Sequence, residues 1–132
     1  MKCLSLKQPY ADLLATGRKT IEIRKWNTNF RGLFLIHASK NVNREACLTL
    51  GFDECNLVKG AIIGKASVYD VTEYTTMDVF LGDRQKHFSI EDINSNHSFK
   101  RYGFLVKDAL KFRKEIPYLG KLGFFEVSDL RI

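Results

Sequence analysis

Residues 4–26 read LSLKQPYADLLATGRKTIEIRKW and hold a turn, a short helix and the opening of a strand in one run. Pro9 suits the first turn of a helix, where its missing N–H would have no intrahelical partner anyway, and Gly17 suits the position just past the end. Between them Tyr10, Leu13 and Leu14 fall on one face. At KTIEIR, residues 19–24, the pattern becomes alternating: Ile21 and Ile23 point one way, and Thr20, Glu22 and Arg24 the other. One face of this strand is thus apolar, and the other presents a hydroxyl, a carboxylate and a guanidinium in a row. Strict alternation puts Lys19 with the isoleucines, so its ammonium can join Glu22 and Arg24 only if residue 19 lies in the irregular entry to the strand.

Outward from this segment, GLFLIHAS (32–39) is apolar on both parities and is predicted to be a buried central strand ending in His37, Ser39 and Lys40. NREACLTLGF is predicted to be a helix that stops at Gly51. The β-branched run GAIIGKASVYDVTEY (60–74) predicts a long strand, with Gly64 at a bulge or bend. Two short helices are expected next, one near Met77 to Leu81 and one from Ser89 with Asp92 at capping-box spacing. YGFLVKDALKFRKEI is expected to be a strand pair turning near Lys107 and Asp108, and LGKLGFFEV closes the chain. The only prolines are Pro9 and Pro117, and no repeat or low-complexity linker divides the chain.

With 132 residues, 45% hydrophobic and 27% charged, the chain suits one compact domain over 1–132. No stretch approaches the roughly 20 apolar residues of a membrane span, and Lys7, Gln8 and Pro9 interrupt the N-terminus too early for a signal peptide, so a cytoplasmic protein is expected. The sequence leaves the oligomeric state open, with a monomer favoured over a small oligomer. Cys3, Cys47 and Cys55 are odd in number and lack zinc-like spacing, which predicts inert free thiols and no metal or other cofactor. No glycine pattern makes a dinucleotide or P-loop phosphate cradle. The net charge of +6 is uneven: residues 1–40 stand at +6, 41–100 at −3 and 101–132 at +3. If the two basic ends meet in space, the fold has a positive face suited to phosphate; otherwise the charges are an ordinary solvated surface.

Taken together, LSLKQPYADLLATGRKTIEIRKW, RGLFLIHASK, GAIIGKASVYDV and YGFLVKDALKFRKEIPYLGKLGFFEV resemble an ASCH domain over nearly the whole chain. The family signature, Gly-x-Lys-x-x-Glu-x-Arg, stands here as Gly17, Lys19, Glu22 and Arg24. The resemblance implies an α+β, PUA-like small β-barrel flanked by short helices, with a cleft proposed to take RNA. It implies an RNA- or nucleotide-binding module of RNA metabolism or translation-related regulation. Other members hydrolyse acylated cytidine or cut RNA, so an amidohydrolase or ribonuclease using Lys19 and Glu22 is the alternative. The acyl-cytidine hydrolysing members place a threonine three residues after the lysine, where this chain has Glu22.

Candidate ligand-binding residues are therefore Gln8, Pro9, Tyr10, Lys19, Glu22, Arg24, Trp26, Ser39 and Lys40. Arg24 can fork onto a phosphate while Glu22 orients it and Lys19 adds a second cation. The plain alternative is a surface ion pair worth about 0–1 kcal/mol. Trp26, beside Arg24 and Lys25, can stack on a base or cap the barrel end. Tyr10 can line the cleft or anchor its helix, and His37 reads more simply as a structural histidine than as a base. Phe34, Phe104, Phe124 and Phe125 are assigned to the core.

Overall fold

The computed structural model describes residues 1–91 and 99–128. Its strands are β1 (Lys2–Gln8), β2 (Ile21–Arg24), β3 (Gly32–Val42), β4 (Ala61–Tyr74), β5 (Arg101–Pro117) and β6 (Phe124–Glu126). The helices are α1 (Tyr10–Ala15), α2 (Arg44–Leu50), α3 (Met77–Gly82) and α4 (Arg84–His87), all short. The strands form one sheet in the order β2-β5-β4-β3-β1-β6, in which β1 and β3 run parallel and the other neighbours antiparallel.

Strand β1 is absent from the sequence reading, yet its alternation is plain in the structure. Leu4 and Leu6 join the main core, while Cys3 packs in a second cluster with Leu35, Ile62 and Phe125 on the other face. The main core brings these leucines together with Phe34, Ile36, Ala66, Val68, Phe104 and Val106, and α1 inserts Ala11, Leu14 and Ala15 into it. Helix α1 sits this close because Gly64 of β4 has no side chain. A Cβ there would lie 2.5 Å from the Leu110 carbonyl and 3.1 Å from Ala15 Cβ. The ladder shifts register at the same point, as expected of a bulge. The predicted helix stops at Gly17 and Gly51 both adopt left-handed φ values, 79° and 78°.

Two expectations change. The strand pair expected to turn at Lys107 and Asp108 is one continuous strand, β5. Asp108 does adopt a left-handed φ of 56°, which asparagine and aspartate tolerate better than most residues. Its effect is a bulge: Ser67 pairs with Lys107 but Lys65 pairs with Leu110, so two β5 residues oppose Ala66 and the strand bends without reversing. The long β4 offers partners to both halves. Likewise, the barrel does not close. Among the described residues β2 and β6 end the sheet unpaired with each other. They are four and three residues long, too short to carry a ladder around. The sheet nonetheless curls until Trp26, just after β2, meets Phe124 of β6 at 6.0 Å between ring centroids. Helix α4 was not anticipated, and the helix expected from Ser89 lies, with Asp92, largely outside the described residues.

Candidate functional site

Because β2 begins at Ile21, Lys19 precedes the pleat and escapes its parity. Lys19 Nζ lies 3.2 Å from Glu22 Oε1, and Arg24 Nε donates to Glu22 Oε2 at 2.8 Å. Arg24 and Glu22 stand on one face as the alternation requires. The group is deeply placed: Lys19 is 3% exposed and Glu22 6%. Lys19 also donates to the His87 carbonyl at 2.5 Å and lies 5.1 Å from the centre of the Tyr10 ring. Burial lowers the Lys19 pKa, with Glu22 acting against that shift. Burial would raise the Glu22 pKa, but the charges and hydrogen bonds of Lys19 and Arg24 outweigh it and hold the carboxyl below its ordinary range. The plain reading of an exposed, nearly neutral pair does not apply. These are two cations sharing one buried carboxylate, with a surplus positive charge.

Arg24 closes the geometry by donating through Nη2 to the Ser5 carbonyl of β1 at 2.9 Å. Strands β1 and β2 are four places apart in the sheet, and this contact spans the gap where the barrel stays open. It does so because β6 pairs only with Lys2 to Leu4, so the remainder of β1 faces β2 across space. A cleft of ≈ 590 Å³ occupies that gap. Its floor and walls include Ser5, Lys7, Tyr10, Glu22, Arg24, His37, Ser39 and Lys40, and the segment Tyr118–Gly123 covers one side. On the floor His37 Nδ1 lies 2.8 Å from Ser5 Oγ and Nε2 lies 2.7 Å from the Tyr118 carbonyl. Burial lowers the His37 pKa, opposed by that carbonyl, so the ring is neutral near pH 7.

A smaller cavity of ≈ 390 Å³ adjoins the cleft and shares Tyr10, Glu22 and Ile23 with it. Among the described residues Lys19 is its one lining cation, against Glu22, Glu45 and Glu91. Charge therefore divides at Tyr10, positive on the Arg24 side and negative on the other.

Of the nine candidate residues, Tyr10, Lys19, Glu22 and Arg24 come together, and Ser39 and Lys40 line the larger cleft. Gln8 and Pro9 do not line either cavity. Gln8 is buried, donating to the Val58 carbonyl and accepting from the Asp12 N–H, each at 2.9 Å, so its amide joins β1, α1 and the chain before β4. Pro9 sits at the N-cap of α1. Trp26 packs edge-on against Phe104 and Phe124 and borders a shallow depression with Lys25, Glu91 and Arg101. Residues missed from the candidate set are Ser5, Lys7, His37 and Lys121. The parity of Cys3, Ser5 and Lys7 opposite Leu4 and Leu6 was the available signal for the first two. No cluster of His, Cys, Asp or Glu able to hold a metal occurs among the described residues. Cys3 is buried with its thiol pushed up to about 12 by burial, and Cys55 is exposed.

Fold and site together define a small α+β domain with a cation-lined cleft over a buried carboxylate. The sequence model of the ASCH domain family matches residues 4–112, and the chain belongs to that family. No curated protein sequence matches it. Among solved structures it is similar to the ASCH protein of Zymomonas mobilis, with a TM-score of 0.63 and 19% identity over 87% of this chain and 71% of that one. It is also similar to a serine-to-alanine variant of that protein (TM-score 0.60, 17% identity, 87% and 72% covered). A tyrosine-to-phenylalanine variant gives 0.61, 19%, 87% and 73%. At such identities the likeness concerns the fold.

Proposed function

We propose that the cleft between β1 and β2 binds the phosphate-bearing backbone of RNA or a nucleotide-like ligand, and that the domain acts through this binding in RNA metabolism or translation-related regulation. The observation that carries the reading is the charge of the walls. Lys7, Arg24, Lys40 and Lys121 border the cleft, and the carboxylate among its lining residues, Glu22, is already compensated by Lys19 and Arg24. An anion entering this space meets Lys7, Lys40 and Lys121, which have no carboxylate partner among the described residues, and the cleft volume lies within the roughly 300–1,000 Å³ of ligand pockets. Glu22 fixes the Arg24 fork, and the 21% exposure of the Arg24 side chain leaves guanidinium surface for a phosphate oxygen. The basic ends of the chain supply these cations from β1, β2, β3 and the turn before β6.

The test is the salt dependence of binding of a short fluorescent RNA, measured by anisotropy for the wild type, Arg24→Ala and Lys121→Ala. Counter-ion release predicts a linear fall of log affinity with log salt, and each lost phosphate contact makes the slope shallower by about 0.7–0.9. A flat wild-type slope overturns the proposal.

The lowered pKa of Lys19 favours a second reading, a hydrolase of acylated nucleosides such as N4-acetylcytidine, or a ribonuclease, with Lys19 as base beside Glu22. Against it, Lys19 Nζ is already directed at the His87 carbonyl, Glu22 and the Tyr10 ring. Glu22, held ionised between two cations, is a weak base. Product from either substrate that disappears in both Lys19→Ala and Glu22→Gln would displace the binding reading.

A further inference from the structure

Binding through Arg24 leaves unexplained the pair on the cleft floor, Ser5 and His37, which are cross-strand neighbours in the parallel β1–β3 ladder. A carbonyl can only accept, so His37 Nε2 carries the proton toward Tyr118 O at 2.7 Å. In the neutral ring Nδ1 is then bare, and the Ser5 hydroxyl 2.8 Å away donates to it. That is the arrangement of a serine with a general base whose tautomer is held by a third group, here a main-chain carbonyl. Ser5 is half-buried and lines the cleft. Arg24 donates to the main-chain carbonyl of Ser5 itself, which ties a guanidinium to the same residue on the cleft wall. No partner is assigned to Arg24 Nη1 among the described residues.

Gly120 completes the enclosure. A Cβ on it would lie 2.8 Å from His37 Cε1, 2.9 Å from Nδ1 and 3.0 Å from Ser5 Oγ. The main chain thus closes one side of the pair and leaves the Arg24 side as the approach.

We propose that Ser5 and His37 form a nucleophile–base dyad for acyl transfer, acting on a carboxylic ester that carries a phosphate group. The nucleophile rests on its own geometry, and the phosphate on the reading of the cleft given above. Ser5 Oγ attacks the ester carbonyl while its proton passes to His37 Nδ1. The tetrahedral oxyanion forms beside the Arg24 guanidinium, which is the charge needed there. Collapse breaks the C–O bond to the leaving alcohol, which takes the proton from Nδ1. Water then adds to the seryl ester with Nδ1 as base, and the carboxylic acid departs as the serine hydroxyl is restored. Water is the one co-reactant, and no oxidant or metal enters the balance.

The experiment treats the protein with a small alkyl fluorophosphonate, which forms an Oγ–P bond with loss of fluoride and the serine proton, and follows intact mass and peptide maps. The variants are Ser5→Ala and His37→Gln. Glutamine keeps a donor for Tyr118 and an acceptor for Ser5 but cannot take a proton, so it separates basicity from folding. Expected are a single adduct on Ser5 in the wild type, none in Ser5→Ala, and labelling at least about 100-fold slower in His37→Gln. Absence of an adduct on Ser5 in the wild type, or an unchanged rate in His37→Gln, overturns the dyad. A p-nitrophenyl ester bearing a phosphate is then compared with its neutral analogue. Faster turnover of the phosphorylated ester supports the substrate assignment, and equal turnover overturns it and counts against the anion-binding cleft. Missing adduct with salt-dependent RNA binding intact overturns the dyad alone.

Discussion

Replacing Glu22 with glutamine removes one negative charge from between two cations at nearly constant volume. The Lys19 ammonium, 3% exposed, then has the His87 carbonyl as its remaining close acceptor besides the new amide oxygen. Breaking a buried pair by removing one partner costs about 3–5 kcal/mol, and the retained acceptor argues for the lower end, about 3 kcal/mol. For a chain of this length that is a fall in Tm of about 10 °C. The uncompensated ammonium also predicts a pH signature. Without Glu22 the folded-state pKa of Lys19 drops further below its unfolded value of about 10.4, so in the window between them the unfolded state binds more protons. Stability of Glu22→Gln should therefore rise with pH through the alkaline range, more steeply than in the wild type. Adding Lys19→Met should restore part of the loss, because Arg24, its side chain 21% exposed, can keep its charge in contact with water. Urea unfolding at pH 7 and pH 9 on the wild type, both single variants and the double variant measures all of this. Equal stability of Glu22→Gln and wild type, or no recovery in the double variant, would refute the buried-triad argument.

Three further outcomes follow from other parts of the structure. Acidification should destabilise the wild type as pH falls through the depressed pKa of Glu22, since that carboxylate stabilises the fold only while ionised; the corresponding step should shrink in Glu22→Gln when unfolding is followed from pH 6 to pH 2. Gln8→Leu should leave the Asp12 N–H and Val58 C=O without partners and cost about 1–3 kcal/mol in urea unfolding, with the salt slope of RNA binding unchanged because Gln8 does not line the cleft. Asp108→Gly should be neutral or stabilising and Asp108→Val destabilising by about 1–2 kcal/mol in thermal melts, because a β-branched side chain does not fit a φ of 56°.

The strand carrying Glu22 and Arg24 was legible because alternation is a local property, and so was each helix bounded by a glycine. What sequence could not supply was the partner of each side chain. Lys19 looked misplaced by parity, and only the late start of β2 explains how it reaches Glu22. Gln8 carried the right polarity for a binding residue but spends both ends of its amide on the scaffold. Ser5 and His37 become neighbours through the register of the β1–β3 ladder, and Gly120 joins them from the segment before β6, pairings that local pattern does not encode. Asp108 gave a true signal of left-handed backbone, but a bulge and a turn can share that signal, and the choice was made by the length of β4.

The pairing of β1 with both β3 and β6 bears on how quickly the molecule can form. The Met1 ammonium and the Val127 carbonyl meet at 3.0 Å across a sequence separation of 126, and Arg24 reaches β1 from 19 residues away. Contacts of such separation are paid for in chain entropy before they return any stability, which slows folding toward the millisecond-to-second range of non-local β topologies. The cleft is walled by β1, β2 and the segment just before β6, so it should be acquired in the same late step that docks β6. A collapsed intermediate could hold α1 against β3 and β4, but it would have no wall at residues 118–123 and no ligand affinity to protect it.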